Sequence, residues 1–207
     1  MHLVTDEEEV KSLQSINHFK NTLVDLGLKM KTGLVVDFRS RELLRDSEDD
    51  STIPLIYSMH IKDGRVRFPQ GKEKEYIVKD RKGLMQENRN YLFVKRFTAK
   101  EERRRLQCGI YLKRYLSSFT YISSQNKVNF IDGLQGLSEC VVYGLYVIFN
   151  STLYDVYYRI LNGSTQVNST EINAMPGPDM SVIEAMGKQL IAAKNLSVEQ
   201  CNNILNH

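Results

Sequence analysis

Asn90-Tyr91-Leu92-Phe93-Val94-Lys95-Arg96-Phe97-Thr98-Ala99-Lys100-Glu101-Glu102-Arg103-Arg104-Arg105 is the stretch on which the fold turns. Its first part, Tyr91 to Val94, is apolar and rich in β-formers, and reads as a strand that delivers Lys95 and Arg96 at its end. Thr98 and Glu101 then stand at capping-box spacing, which opens helices. The residues beyond argue against a long helix, because Leu106, Cys108, Ile110 and Leu112 alternate with the period of a strand. The segment is predicted as strand, charged turn and strand.

Outward from it, more sheet is expected. Upstream, Ile53-Pro54-Leu55-Ile56-Tyr57 is a short apolar run that Pro54 assigns to a sheet edge or a strand start. Asp63-Gly64 marks a tight turn between His60-Ile61 and Val66-Arg67-Phe68. Earlier still, Leu34-Val35-Val36-Asp37-Phe38 reads as a strand, and Asp6 to Leu26 as a helix capped by Thr5 and Glu8 and stopped by Gly27. Downstream, Thr120-Tyr121-Ile122 and Val128-Asn129-Phe130-Ile131 complete the sheet. From Ser138 the pattern becomes helical: one mostly buried helix through Phe149, which Leu153 to Leu161 continues or restarts, and two short helices over Met180–Ala193 and Ser197–Leu205. Tyrosines 143, 146, 154, 157 and 158 stand at helical spacing and are assigned to the core. The expected fold is α+β, with an N-terminal helix, a central mainly antiparallel β-sheet and C-terminal helices.

A chain of 207 residues with 42% hydrophobic and 26% charged residues can bury a core and keep a charged surface. It has no apolar run of bilayer length, and the acidic start at Asp6, Glu7, Glu8 and Glu9 is unlike a secretory signal. Cys108, Cys140 and Cys201 are odd in number and far apart, which suits reduced thiols in a cytoplasmic protein. The net charge of +3 conceals an asymmetry. Residues 1–61 hold 7 Lys+Arg against 11 Asp+Glu, residues 62–114 hold 17 against 7, and residues 115–207 hold 4 against 7. Cations gathered in one third of a chain are the footprint of a phosphate-contacting surface, or else a solvated region whose charges face different ways.

Several machineries are missing. None of the 12 glycines stands two positions from another, so there is no GxG loop for a dinucleotide-type cofactor. Pro54, Pro69, Pro176 and Pro178 are isolated, which excludes the loop of two adjacent prolines that holds the target amine in DNA amino-methyltransferases. The four histidines are scattered without metal-ligand spacing. Gly133-Leu-Gln-Gly136 has the outline of a GxxG loop but lacks its basic middle residues and reads as a turn. Asp63, followed by Tyr76-Ile-Val-Lys-Asp80-Arg-Lys82, has the order by which Mg²⁺-dependent nucleases place acid, Asp and Lys. The same spacing arises by chance in a charged exposed strand.

Several segments together resemble the C-terminal half of the adenine-specific N6 DNA methyltransferases of restriction–modification systems. They are Leu26-Gly27-Leu28-Lys29-Met30-Lys31-Thr32-Gly33 running into Val35-Val36-Asp37-Phe38-Arg39-Ser40-Arg41-Glu42, then Ile53 to Tyr57, then Asn90 to Arg105, then Phe149-Asn150-Ser151-Thr152, and last Asn162-Gly163-Ser164-Thr165-Gln166-Val167-Asn168. The order of the family is kept over residues 20–175. The resemblance implies a target-recognition domain for double-stranded DNA. The catalytic domain and its S-adenosylmethionine are then expected elsewhere, in the same polypeptide or as a separate subunit, and this chain is not expected to be catalytic by itself. The closing segment is also similar to recognition domains in specificity subunits of Type I restriction enzymes. On this reading residues 1–27 connect to the catalytic domain, 28–175 form the recognition domain and 176–207 form a helical tail.

Three sets of residues are candidates for DNA contact. Lys95, Arg96, Lys100, Arg103, Arg104 and Arg105 bracket a turn from which side chains can reach outward, and arginine serves both bidentate guanine contact and phosphate clamping. The competing reading is a salt-bridge cluster with Glu101 and Glu102. Lys29, Lys31, Thr32, Arg39 and Arg41 form the second set, in a loop whose N–H groups and ammonium groups suit a phosphate, or in an ordinary turn entering a strand. Ser164, Thr165, Gln166 and Asn168 form the third, where amides can hold an adenine edge or cap the neighbouring helix. A rival from another class is a protein-interaction module that docks an acidic partner on its basic face.

Overall fold

A computed structural model describes residues 7–99 and 101–206. Among the described residues, thirteen strands, β1 (Asn21–Thr22), β2 (Leu28–Thr32), β3 (Leu44–Arg45), β4 (Thr52–Ile56), β5 (Ile61–Lys62), β6 (Arg65–Val66), β7 (Tyr76–Val78), β8 (Gln86–Glu87), β9 (Tyr91–Lys95), β10 (Cys108–Tyr111), β11 (Tyr121–Ser124), β12 (Val128–Gly133) and β13 (Pro176–Gly177), are joined by α1 (Glu7–Asn17), α2 (Glu139–Asn150), α3 (Thr152–Leu161), α4 (Ser169–Ala174), α5 (Met180–Ala193) and α6 (Val198–Leu205). Six strands form one sheet in the order β2-β12-β9-β10-β6-β5, antiparallel except where β10 meets β6. Five more form a second sheet, β3-β7-β4-β11-β8, antiparallel except where β11 meets β4. The architecture is α+β, mainly antiparallel, with helices gathered toward the C-terminus, as the sequence predicts, but it has two principal sheets where one is expected.

The alternation read at Leu106 to Leu112 places side chains on opposite faces of the six-stranded sheet. Leu92, Val94, Leu106, Cys108, Ile110, Leu112 and Ile131 face a core shared with the helices, whereas Tyr91, Phe93, Tyr111 and Phe130 face a second core that includes Ile56 and Ile122 of the other sheet. A strand covered on both sides needs apolar residues at nearly every position, and β9 and β10 supply them. The helical layer is built on α2, buried from Val141 through Asn150 and capped by Ser138, whose hydroxyl accepts the Val141 N–H. The tyrosines at 143, 146, 154, 157 and 158 are all in this core. Helix α5 crosses α2 at glycines: a Cβ on Gly144 would stand 1.9 Å from the Ile183 carbonyl oxygen, and one on Gly187 1.8 Å from that of Cys140. Ile183, Met186, Leu190, Cys201 and Ile204 thereby join the same core as Ile16 and Leu92.

Several local expectations change. The first helix ends at Asn17, not Leu26, because Asn21 and Thr22 pair with Gly177 and Pro176 and the Thr22 N–H and hydroxyl turn onto the Asp25 carboxylate (2.8 and 2.7 Å). The proposed cap at Thr5 lies outside the described residues. Lys29 to Thr32 belong to a strand and not a loop, since β2 pairs with β12 from Leu28↔Gly133 to Thr32↔Asn129. The expected strand at Leu34–Phe38 reduces to a single bridge, Val35 to Gln125, before a 3₁₀ turn at Asp37–Arg39. Pro54 sits in an interior strand. Leu55 donates to the Glu75 carbonyl on one side, so the N–H that Pro54 lacks faces β11, whose pairing begins only at Leu55, and no ladder bond is lost. The Asp63-Gly64 turn is as expected: both residues have positive φ (50° and 74°) and connect β5 to β6.

Candidate nucleic-acid interface

One turn, Gln125-Asn126-Lys127 between β11 and β12, organises the basic surface. Asn126 donates its N–H to the Val35 carbonyl (2.8 Å), and Gly33 donates to Val128 (2.8 Å). Gly33 is small for a reason: a Cβ there would lie 2.1 Å from the Gln125 carbonyl oxygen. On the other side, Arg96 donates its N–H to the Lys127 carbonyl (3.0 Å) and Nη1 to the Asn126 carbonyl (2.9 Å). The 162–168 loop lies along this edge, through Val167 N–H to Arg96 O (2.6 Å), Thr98 N–H to Thr165 O (3.1 Å) and a bridge between Phe97 and Gln166. The fold thus brings the Arg96 region and the Gln166 loop into contact, with Thr32 nearby on β2, one strand from Lys95 through β12.

The basic run does not point outward as a whole. Arg103 is exposed and its guanidinium meets no partner among the described residues, Lys95 and Arg96 are half-buried, and Lys100 lies outside the described residues. Arg105 is a correction: it is 2% exposed, its Nε donates to the Thr98 hydroxyl (3.1 Å) and its Nη2 to the Ser164 carbonyl (2.6 Å). Arg104 also turns inward, with Nη2 on the Ser151 carbonyl (3.0 Å) and the Phe149 carbonyl (3.3 Å), at the C-terminal end of α2 where a cation is favoured. Both are steered by Asp155 of α3, whose Oδ1 accepts the Arg105 and Leu106 N–H groups, each at 2.8 Å. Among the described residues, the competing reading, a salt-bridge cluster with Glu101 and Glu102, is not formed either. The Glu102 carboxylate caps the Ala99 N–H (2.8 Å) and meets Gln107, bonds that hold its pKa below the ordinary carboxylate value.

In the second set, Lys29 and Lys31 are exposed on the sheet edge, where Lys31 pairs with Asp132 (2.9 Å). Asn173 of α4 covers part of that edge by taking the Met30 N–H (2.7 Å) and donating to its carbonyl (3.0 Å), so the Met30 N–H is not open to a phosphate. Arg39 is exposed with its guanidinium over the Phe38 ring at 5.4 Å, and Arg41 lines a cleft described below. In the third set, Ser164 is engaged with Asn162 and Gln166, and Asn168 caps α4 by accepting the Thr170 N–H (2.9 Å). Among the described residues, the side chains of exposed Thr165 and half-buried Gln166 meet no hydrogen-bonding partner.

Sequence reasoning missed two features. Exposed Phe38 (62%) and Phe97 (48%) each lie beneath a neighbouring arginine, Arg39 at 5.4 Å and Arg96 at 5.5 Å. Such plates present both an apolar face and a delocalised charge. A cleft of about 330 Å³ is lined by Asp37, Phe38, Arg41, Leu44, Tyr57, Lys72, Lys74 and Lys127. The Phe-Arg dipeptides at 38–39 and the Arg-Phe at 96–97 were visible in the sequence; the convergence of Lys127 with Lys72 and Lys74 was not.

The nuclease order does not converge. Asp63 sits in the hairpin of the six-stranded sheet, paired with Arg67 at 3.1 Å, while Asp80 and Lys82 follow β7 of the five-stranded sheet. Among the described residues no group of three or more His, Cys, Asp or Glu is placed to hold a metal ion, and no helix is long and apolar enough to cross a membrane. Cys108, Cys140 and Cys201 are free thiols, and burial pushes that of Cys108 well above its ordinary pKa.

No family model matches the chain. Over 195 residues it is 33% identical to Type II methyltransferase M.BsuBI of Bacillus subtilis and 34% identical to Type II methyltransferase M.PstI of Providencia stuartii, each time covering 92% of this chain and 38% of the relative. The chain is therefore homologous to type II methyltransferases and spans less than two fifths of their length. A solved chain from a study of a type I restriction–modification system aligns with 97% of this chain and 48% of its own length, at a TM-score of 0.39 and 10% identity.

Proposed function

We propose that this chain is the DNA-recognition part of a site-specific, adenine-N6 DNA methyltransferase of a restriction–modification system. The observation that carries the reading is the homology to type II methyltransferases over 92% of the chain but only 38% of the relatives, in a sequence without a GxG cofactor loop or paired prolines. A part of a methyltransferase that lacks those loops, and that gathers cations and open amides around one turn, is suited to holding the duplex. Residues 28–175 would carry recognition, residues 1–27 would lead toward the catalytic part, and 176–207 would brace the helical layer.

S-adenosylmethionine belongs, on this reading, to the catalytic part, where it supplies the methyl group. The residues here do not fit it. The cofactor's sulfonium is itself a cation, and the basic cleft offers four cationic side chains against one carboxylate, Asp37. The division of labour is physical: the catalytic part takes a flipped adenine, and this part makes flipping productive at the right sequence. Lys95, Arg96, Arg103, Arg39 and Arg41 serve as phosphate contacts that set register, with Thr165 and Gln166 placed to read base edges. About five neutralised phosphates give a slope of log K against log[salt] of about −4 to −5, and binding by this part alone is expected at about micromolar strength.

The test is selection from a random duplex pool by the purified chain at two salt concentrations. A short enriched motif containing adenine supports the reading. Retention without enrichment limits the role of this chain to phosphate contact. No retention at low salt overturns the reading and favours an acidic protein partner.

A further inference from the structure

The basic cleft is not part of the edge formed by Arg96, Phe97 and Gln166, yet it adjoins that edge through Lys127. The Lys127 carbonyl accepts the Arg96 N–H, and its side chain lines the cleft. Lys72 and Lys74, on the loop before β7, and Arg41 line the same cleft. No carboxylate neutralises Arg41, Lys74 or Lys127 by an ion pair among the described residues, and Lys72 lies over the Tyr57 ring at 4.4 Å. Phe38 forms the lip, mostly exposed beneath Arg39.

This arrangement is held in place. Lys74 has a left-handed backbone (φ 62°), which a side chain other than glycine or asparagine disfavours. Its N–H donates to the Asp46 carboxylate (2.8 Å) and its carbonyl accepts the Tyr57 hydroxyl (2.8 Å). The loop behind it is fastened by Glu75, which accepts the N–H groups of Gln70 (2.8 Å) and Gly71 (3.0 Å) and meets His60 Nε2 at 2.6 Å. A strained lysine braced from both sides, beside three other cations around one cavity, is a place built to hold an anion.

We infer that the cleft formed by Arg41, Lys72, Lys74 and Lys127 is a phosphate-binding site that takes the nucleic-acid backbone where it leaves the Arg96 edge, with Phe38 against the adjoining sugar. The inference rests on the DNA-recognition reading and extends it onto the five-stranded sheet, to residues that no comparison assigns. Its chemistry is that of a phosphodiester flanked by an apolar group. A free phosphate offers the same charge without that group.

The experiment compares the chain with a K72Q/K74Q/K127Q variant and with K188Q/K194Q, exposed lysines at and beyond α5, each checked for unchanged thermal unfolding. Duplex binding is measured from low to high salt. The cleft variant is expected to lose about tenfold or more in affinity at 0.1 M salt and to reduce the salt slope by about 2 to 3, each phosphate contact contributing about 0.9, while the preferred sequence stays the same. The α5 variant should leave both unchanged. Wild-type binding with an unaltered cleft variant overturns the cleft and leaves the recognition reading standing. Absence of duplex binding by the wild type overturns both. Inorganic phosphate is the second arm, followed by NMR: phosphate binding lost in the cleft variant with duplex affinity retained would assign the cleft to a free anion and overturn its nucleic-acid role.

Discussion

Two buried carboxylates fasten the two basic loops of this molecule, and they do opposite things with the charge. Asp155 accepts the N–H groups of Arg105 and Leu106, and Glu75 accepts those of Gln70 and Gly71. Around Asp155 the arginines turn inward: Arg104 onto the end of α2, Arg105 onto Thr98 and Ser164, and Arg159 Nε onto Asp155 itself at 3.1 Å. Around Glu75 the cations stay outside, because the carboxylate is engaged by main-chain N–H groups and by a histidine rather than by a lysine. The difference teaches that a count of cations does not measure presented charge. An arginine-rich run can be an internal brace, and a loop of modest charge can carry the open surface.

The comparison breaks most decisively at Asp155. Asp155→Ala removes the acceptor for two buried N–H groups and the carboxylate beside the largely buried Arg104, which costs about 3–5 kcal/mol. Thermal unfolding should fall by on the order of 10 °C for a chain of this size. A variant that unfolds like the wild type would show that Asp155 does not organise the run. Next comes Arg105→Ala, expected to cost about 2–3 kcal/mol in denaturant unfolding, because Thr98 and the Ser164 carbonyl lose a buried partner. Arg105→Lys should not restore it, since an ammonium cannot span both acceptors. If Arg105→Ala kept full stability and lost DNA affinity, the inward assignment would fail and the two loops would be alike.

The local elements on both sides of this comparison were legible where residue type dictates geometry. Asp63-Gly64 tolerates the positive φ of a tight hairpin, and Ser138 and Ser197 offer caps one residue before α2 and α6. The alternation from Leu106 to Leu112 announced β10. What could not be read was direction and partnership. Arg105 faces inward because of a carboxylate 50 positions away, and nothing in its own neighbourhood says so. Lys127 lies in the third of the chain whose balance is acidic, and it follows β11, which pairs with β4, the neighbour of the β7 strand that the lysine-bearing loop enters. Leu23 and Leu26 keep helical spacing beyond the true end of the N-terminal helix, because β13, remote in sequence, draws Asn21 and Thr22 into a strand.

A smaller effect sharpens the Glu75 side through pH. His60 is fully buried, and its Nδ1 accepts the Tyr57 N–H (2.9 Å) while Nε2 faces Glu75. Burial lowers its pKa, against the pull of the Glu75 carboxylate, and protonating Nδ1 would set two donors against each other. The unfolded chain takes up this proton as pH falls below about 6.5 while the native chain resists it, so stability should decline as pH falls from 7 to 5. Glu75 acts lower: burial raises its pKa, the bonds from His60 and the loop N–H groups outweigh that, and its contribution is lost only as pH falls through the depressed value. His60→Asn should remove the upper window whatever it does to overall stability. A wild-type curve flat from pH 7 to 5 would show that His60 accepts its proton in the fold.

Arg103 gives the smallest effect and isolates presentation from bracing. It lies one residue from Arg104, shares its chemistry and is exposed. Arg103→Gln should change stability by no more than about 0.5 kcal/mol. If the guanidinium meets a backbone phosphate, duplex affinity at 0.1 M salt falls several-fold and the salt slope shrinks by about 0.9, equally across sequences. If it reads a base, the loss concentrates at one position of the preferred site, because a bidentate contact discriminates by about 1–3 kcal/mol. Unchanged affinity at every salt concentration would mean that the whole run, inward and outward members alike, is structural, and would leave the surface around Lys127 to carry the charge that the duplex meets.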